Sequence, residues 1–180
     1  MKDKNFNVKT ESLAMMAICV ALAILFGNGR VLSLTIGPFR VSVGNLPIAL
    51  AGIMLGPACG AMTGVAADLL SCAFVGYVPI PLVTVGAGCV GGLAGLAYRK
   101  AARFQESLRV ILAVTSGHVV GSMIVKTIGL VLAFGYPLLP TLIGRIVEYT
   151  LIGAVECVLA IVILKGLRRA GLFRPSGRKR

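Results

Sequence analysis

Between Arg40 and Asp68 the chain runs for 27 residues without a charge, and glycine and proline recur inside that run at Gly44, Pro47, Gly52, Gly56, Pro57, Gly60 and Gly64. A membrane-crossing helix needs about 20 apolar residues, so the run is too long for one helix and short for two. With Pro57 in its middle it reads as a compact hairpin, Gly44 to Gly56 going in and Pro57 to about Phe74 coming back. Asn45 and Pro47 suit the start of the first arm, Asn as a cap for free amides and Pro within the first turn. Gly52, Gly56, Gly60 and Gly64 recur every fourth residue, which predicts tight backbone packing on both arms. The hairpin also carries one acid, Asp68, into the apolar region.

Composition decides the solvent of the whole chain. Of 180 residues 57% are hydrophobic and 13% charged, with mean hydropathy +0.94, where soluble domains sit near 25% charged. An integral membrane protein follows. The other charge-poor runs complete six expected spans, at about 12–27, 44–56, 57–75, 82–98, 108–134 and 141–165. The expected fold class is an all-α integral membrane protein, a single bundle of six transmembrane helices with a structured first outer loop. Its divisions are an amino tail at 1–11, a membrane domain at 12–167 and a basic tail at 168–180.

The net charge of +12 raises the possibility of nucleic-acid binding. The placement of the charges argues against it. Lys2, Lys4, Lys9, Arg99, Lys100, Arg103, Arg109, Lys165, Arg168, Arg169, Arg174, Arg178, Lys179 and Arg180 make up 14 of the 18 basic residues, in the two tails and the 99–109 loop. Six spans bring all three segments to one side, which the positive-inside rule makes cytoplasmic. They set topology and meet anionic lipid heads. Both termini are then cytoplasmic, in a multi-pass protein of a bacterial plasma membrane, with no nucleic-acid partner expected.

Enzyme signatures are missing. The chain has no GxxxxGK[ST] phosphate loop, no HExxH, and a single histidine, His118, so no histidine metal site is expected. Ser116 and His118, two residues apart, point to different faces of a helix and cannot pair as nucleophile and base. No catalytic residue, metal or cofactor is expected. The cysteines Cys19, Cys59, Cys72, Cys89 and Cys157 contain no CxxC pair and lie in apolar spans, where they read as small buried hydrophobes.

The informative residues are the charges inside spans: Asp68, Lys126, Arg145, Glu148 and Glu156. Each costs at least about 2.5 kcal/mol near a helix centre, so each should face the bundle interior with a partner or a function. By topology Asp68, Lys126, Arg145, Glu148 and Tyr149 fall in the outer half, and Glu156 lies deeper. The first outer loop adds Arg30 and Arg40, and Asn45 follows it. Within that loop Val31 to Thr35 and Phe39 to Val43 have strand composition around a Gly37-Pro38 turn, forming a candidate lid. Arg145 and Glu148, at i,i+3, are able to pair, as are Lys126 and Glu148. Alternatively Arg30, Arg40, Lys126 and Arg145 outnumber Asp68 and Glu148, and a positive pocket suits a carboxylate-bearing ligand. Tyr77, Tyr136 and Tyr149 are candidates to stack on a ring. Ala17 and Ala21, four apart on the first span, suit either internal helix packing or the docking of another protein.

Taken together, the six short helices, basic ends and the AxxxA of Ala17 and Ala21 resemble the substrate-binding S components of energy-coupling factor (ECF) vitamin transporters. RVSVGNLPIALAGIMLGP followed by GVAADLL is similar to the folate-type branch of that family, and PLVT, GLAGLAYRK and GRIVEYTLIG agree less sharply. Asn45 stands where that branch has an aromatic, and RIVEY where a second basic residue is common. The resemblance implies a protein that binds a vitamin from outside and moves it only with a transmembrane coupling subunit and two ATPases. It places partner docking on Ala17 and Ala21. For folate it assigns the arginines and Lys126 to the glutamate carboxylates, and Asp68 or Glu148 to the pterin N–H edge. Pantothenate is the nearest rival ligand. A membrane scaffold without a ligand, or an intramembrane enzyme using Asp68 or Glu148, are readings of other classes.

Overall fold

A computed structural model describes residues 10–27, 33–36 and 39–171, with the backbone alone for 33–36 and 39–41. The tails through Lys9 and beyond Gly171, Arg30 and the Gly37-Pro38 turn lie outside the described residues. The elements are α1 (Thr10–Gly27), β1 (Ser33–Ile36), β2 (Phe39–Ser42), α2 (Asn45–Leu55), α3 (Pro57–Val75), α4 (Pro81–Lys100), α5 (Glu106–Gly117), a π-helical segment (His118–Val125), α6 (Lys126–Phe134) and α7 (Leu138–Arg169). β1 and β2 form an antiparallel ribbon with Thr35 opposite Arg40, as the loop composition predicts. Among the described residues five helical stretches are long and apolar enough to cross a membrane: α1, α3, α4, Glu106–Phe134 and α7.

α3 and α4 run antiparallel, with Gly64 by Ala87 and Gly60 by Gly91, and so do α4 and the continuous stretch Glu106–Phe134, with Gly121 by Gly86 and Gly129 by Val83. Gly44 meets Gly27 at one end, called here the ribbon end. At the other, the basic end, Gly56 meets the Arg99 guanidinium. The helix boundaries follow local chemistry. Gly56 adopts φ +105°, which favours glycine, and passes the chain directly to Pro57 at the start of α3. Gly76 closes α3 in the left-handed conformation, donating its N–H to the Cys72 carbonyl at 2.9 Å. Arg99 and Lys100 end α4, where cations complement the helix carbonyls.

The short arm of the hairpin is the centre of the molecule. Every residue from Leu46 to Ile53 is buried, because α2 is flanked by α1, α3, α4, α5 and α7. An 11-residue helix rises only about 16 Å, too little to span a bilayer alone, but a helix enclosed by its neighbours meets no lipid. Its contact with α3 and α4 is backbone on backbone. A Cβ added at Gly60 would stand 2.5 Å from both Gly52 Cα and the Gly91 carbonyl oxygen, and one at Gly95 2.5 Å from the Gly52 carbonyl oxygen. On the other side of α2, Leu46, Ala49, Leu50 and Ile53 pack with Ala94 and Tyr98 of α4, Val110, Ala113 and Val114 of α5, and Ala160 and Leu164 of α7.

α7 shows why its composition looks apolar all round. Leu151, Val155, Val158 and Val162 are exposed along one stripe, while Ile152, Glu156, Ala160 and Leu164 are buried along another. The exposed stripe faces lipid, the buried one the bundle.

Several expectations change here. Asn45 is not a cap: Gly44 holds that position without a side-chain bond. Arg109 is not a loop charge. It is 6% exposed in α5, its Nε and Nη2 donate to the Tyr98 carbonyl at 3.3 and 3.2 Å, and its guanidinium carbon lies 4.1 Å from the Tyr98 ring centroid. The cation thus closes the carbonyl end of α4 instead of meeting lipid heads. Arg168 belongs to the last turn of α7 and pairs with Glu106. Of the cysteines Cys59 is buried and the other four half-buried, all with free thiols.

Candidate functional site

At the ribbon end, elements that the sequence separates by up to 129 residues enclose one polar cavity of about 200 Å³. Asn45, Asp68, Lys126, Glu148 and Tyr149 all line it, with Ser42 and Ser71. Each arrives by a local rule. Asp68 and Ser71 are i,i+3 on α3 and share a face. Lys126 opens α6 directly after the π-helical segment. Glu148 and Tyr149 lie ten residues into α7. Ser42 ends β2, which packs against α7, so the ribbon stands at the cavity mouth.

The acid that α3 contributes to the cavity wall is oriented. Thr84 Oγ1 on α4 donates to Asp68 Oδ2 at 2.7 Å, and the Ile80 carbonyl at 3.3 Å is the weaker acceptor for the same proton. One carboxylate oxygen is thus engaged by the protein. Asn45 Nδ2 donates to Ser122 Oγ at 3.5 Å, tying α2 to the π-helical segment. Arg145 is not in the lining but stands behind it. Its Nη1 donates to the Ser122 carbonyl at 3.4 Å and lies 3.5 Å from the Tyr149 hydroxyl, with the guanidinium carbon 5.6 Å from that ring.

The alternative of Arg145 or Lys126 pairing with Glu148 is not realised among the described residues. Among the described residues no ion pair joins Lys126, Arg145, Asp68 or Glu148, because Arg145 turns to the Ser122 carbonyl and Tyr149 instead of Glu148. Tyr77 and Tyr136, 72% and 52% exposed, stay outside the cavity, Tyr136 against Phe134. Of the expected cationic surplus, Arg30 lies outside the described residues and Arg40 is described only by its place in β2. The described part holds Lys126 and Arg145 against Asp68 and Glu148. Sequence reasoning missed Ser42, Ser71, Thr84 and Ser122. Ser71 and Thr84 were accessible in principle, one at i+3 from Asp68 and one in the first turn of the facing helix.

A second concavity, of about 670 Å³, is larger but chemically different. It is an apolar groove between α1 and α3, lined by Ala17 and Ala21 with Met16, Met62, Leu70 and Phe74 among others. Ala17 and Ala21 are exposed in it, so they do not serve internal helix packing. The groove has no polar group to orient a small ligand beyond Thr63, whose hydroxyl donates to its own helix at the Cys59 carbonyl. Among the described residues no cluster of His, Cys, Asp or Glu could hold a metal ion.

Among the described residues, an apolar helical bundle with a polar cavity at one end suits a binding protein of the bilayer. The family described as "ECF transporter, substrate-specific component" matches residues 11–173, and the chain belongs to that family. It is a substrate-binding transport subunit of the membrane and not an enzyme. The fold is similar to that of FolT bound with folic acid, at 20% identity and TM-score 0.67 over 96% of this chain and 100% of that one. It is equally similar to the S component for biotin from an ECF-type ABC transporter, at 24% identity and TM-score 0.67 over 97% and 100%. The S component of a bacterial ECF transporter follows at 19% identity and TM-score 0.58 over 88% and 96%. No curated protein sequence matches the chain significantly.

Proposed function

We propose that this chain captures a folate-type vitamin in the ribbon-end cavity and delivers it through a transporter completed by a transmembrane coupling subunit and two ATPases. The observation that carries the reading is the coincidence of two features on one segment. Residues 40–70 hold the folate-type pattern, and the same residues bring Asn45 at the start of α2 and Asp68 near the end of α3 to the cavity wall, at the end of the hairpin away from its turn. Asp68 accepts from the pterin N–H edge, Tyr149 offers a ring face, and Lys126, Arg145, Arg30 and Arg40 serve the carboxylates. The basic end is cytoplasmic, as are both termini, with α2 counted as the sixth span inside the other five. Ala17 and Ala21 dock the coupling subunit.

The similar fold scores for the folate and biotin proteins do not choose the ligand. A smaller carboxylate vitamin such as pantothenate is the second reading, and the cavity volume of about 200 Å³ favours it, since small-molecule sites usually span about 300–1,000 Å³. Folate requires the ribbon to move outward, or its glutamate tail to lie along the mouth. The protein purified in mild detergent should carry a vitamin identifiable by absorbance and mass spectrometry. Stoichiometric folic acid binding that weakens in Arg145→Ala supports the first reading. Tight binding of pantothenate alone would replace it with the second, and no binding to any vitamin would sink both.

A further inference from the structure

Glu156 lies outside the cavity lining, yet it is 0% exposed, and His118 is 2% exposed. Their side chains meet at 2.7 Å, His118 Nε2 against Glu156 Oε2. His118 Nδ1 and Glu156 Oε1 have no hydrogen-bond partner among the described residues. A buried pair of this kind is weak grounds for stability, because well-packed apolar residues often replace it without loss. Its place in the bundle offers a better account. The His118 ring stands 5.5 Å from the Tyr149 ring, their planes 36° apart. Glu156 follows Tyr149 by two helical turns, so both reach the same face of α7.

From Tyr149 the contacts continue around the cavity. Arg145 reaches both the Tyr149 hydroxyl and the Ser122 carbonyl, and Ser122 Oγ accepts from Asn45. His118 and Ser122 both belong to the π-helical segment, a rare winding that recurs at functional sites. That winding turns His118 toward α7 and Ser122 toward α2 and α7 within one turn. Gly153 of α7 faces the imidazole, where a Cβ would rest in ordinary contact at 3.7 Å from His118 Cδ2.

We propose that His118 and Glu156 are positioning residues of the ligand site. Glu156 holds the His118 ring, the ring sets the plane of Tyr149, and Tyr149 sets the reach of Arg145. The ligand feature they serve is a flat ring placed against Tyr149, with an anionic group within range of Arg145. The inference rests on the vitamin-binding reading of the cavity, but its first readout needs no ligand.

The test combines tyrosine ring carbon NMR in detergent with equilibrium binding of folic acid, biotin and pantothenate. The four tyrosine signals are assigned by single Tyr→Phe changes. In Glu156→Leu the Tyr149 signal should shift while those of Tyr77 and Tyr136 stay in place. His118→Leu combined with Glu156→Leu removes the buried polar groups together and keeps the fold, and it too should shift Tyr149. Binding of whichever vitamin the unaltered chain takes should weaken about tenfold in Glu156→Leu, non-additively with Tyr149→Phe but additively with Asp68→Asn. Glu156→Gln, which still accepts from His118, should restore most of it. An unmoved Tyr149 signal, or additivity with Tyr149→Phe, overturns the inference. If the unaltered chain binds none of the three vitamins, the folate and pantothenate readings fail, and the Tyr149 signal alone still decides whether the pair positions that ring.

Discussion

The Asp68 carboxylate on α3 accepts a 2.7 Å hydrogen bond from the Thr84 hydroxyl on α4. The bond crosses the glycine-lined contact between the two helices, so the backbone packing there and the orientation of the cavity acid are parts of one arrangement.

Thr84→Val keeps the shape of the side chain and removes the proton that engages Asp68 Oδ2. Binding of the vitamin should weaken by about 10- to 150-fold, the range for one hydrogen bond to a charged group at about 1.5–3 kcal/mol. Thr84→Ser should bind close to normally. Equal affinity for the Val variant in a calorimetric titration would show that Asp68 needs no orientation.

Gly91 and Gly92 are neighbours with opposite surroundings. A Cβ at Gly91 would lie 2.5 Å from the Gly60 carbonyl carbon, whereas one at Gly92 would rest 3.4 Å from Ala61 Cβ. Gly91→Ala should lower stability by about 1–3 kcal/mol or more through overpacking, and Gly92→Ala should change little. Thermal unfolding in detergent compares the two directly. Equal unfolding temperatures would mean that α3 and α4 separate easily.

Arg109→Lys keeps a cation but loses the planar fork that gives Tyr98 two donated bonds and a stacked face. A loss of about 1–3 kcal/mol in stability is expected. Vitamin affinity should hold, since Arg109 stands at the basic end and the cavity at the ribbon end. A variant with normal stability but weakened binding would contradict that separation.

Ala17→Phe and Ala21→Phe fill an exposed groove instead of disturbing a core. Vitamin binding by the purified subunit should persist, while co-purification with the coupling subunit and cellular uptake should fail. Normal uptake in both variants would remove the docking role from this face.

Much of the fold was legible because the membrane makes it so. Charge-free runs marked the spans, Pro57 and the fourth-residue glycines marked the hairpin, and the Gly37-Pro38 turn marked the ribbon. What remained hidden concerns distance across the bundle. Nothing local distinguishes Arg109 in the basic loop from its neighbours, yet Tyr98, eleven residues earlier, draws it inside. Glu156 looked isolated because its partner His118 lies 38 residues away on another helix. Asn45, Asp68, Lys126, Glu148 and Tyr149, which line the cavity, stood out in the sequence because charge and amide groups inside apolar spans are conspicuous. Thr84 and Ser122 were not, since a hydroxyl in a helix can satisfy itself on its own backbone.

The glycine contact of α2, α3 and α4 has one more consequence. Where main chain rests on main chain, almost no substitution is tolerated, so these three helices offer little raw material for change. α6, α7 and the π-helical segment meet the cavity through Lys126, Glu148, Tyr149 and, behind them, Arg145 and Ser122, all of which act through side chains rather than main chain. A lineage built on this scaffold would therefore acquire a new diet by rewriting those side chains, with the few of α2 and α3 that face the cavity, while inheriting the main-chain contact unaltered.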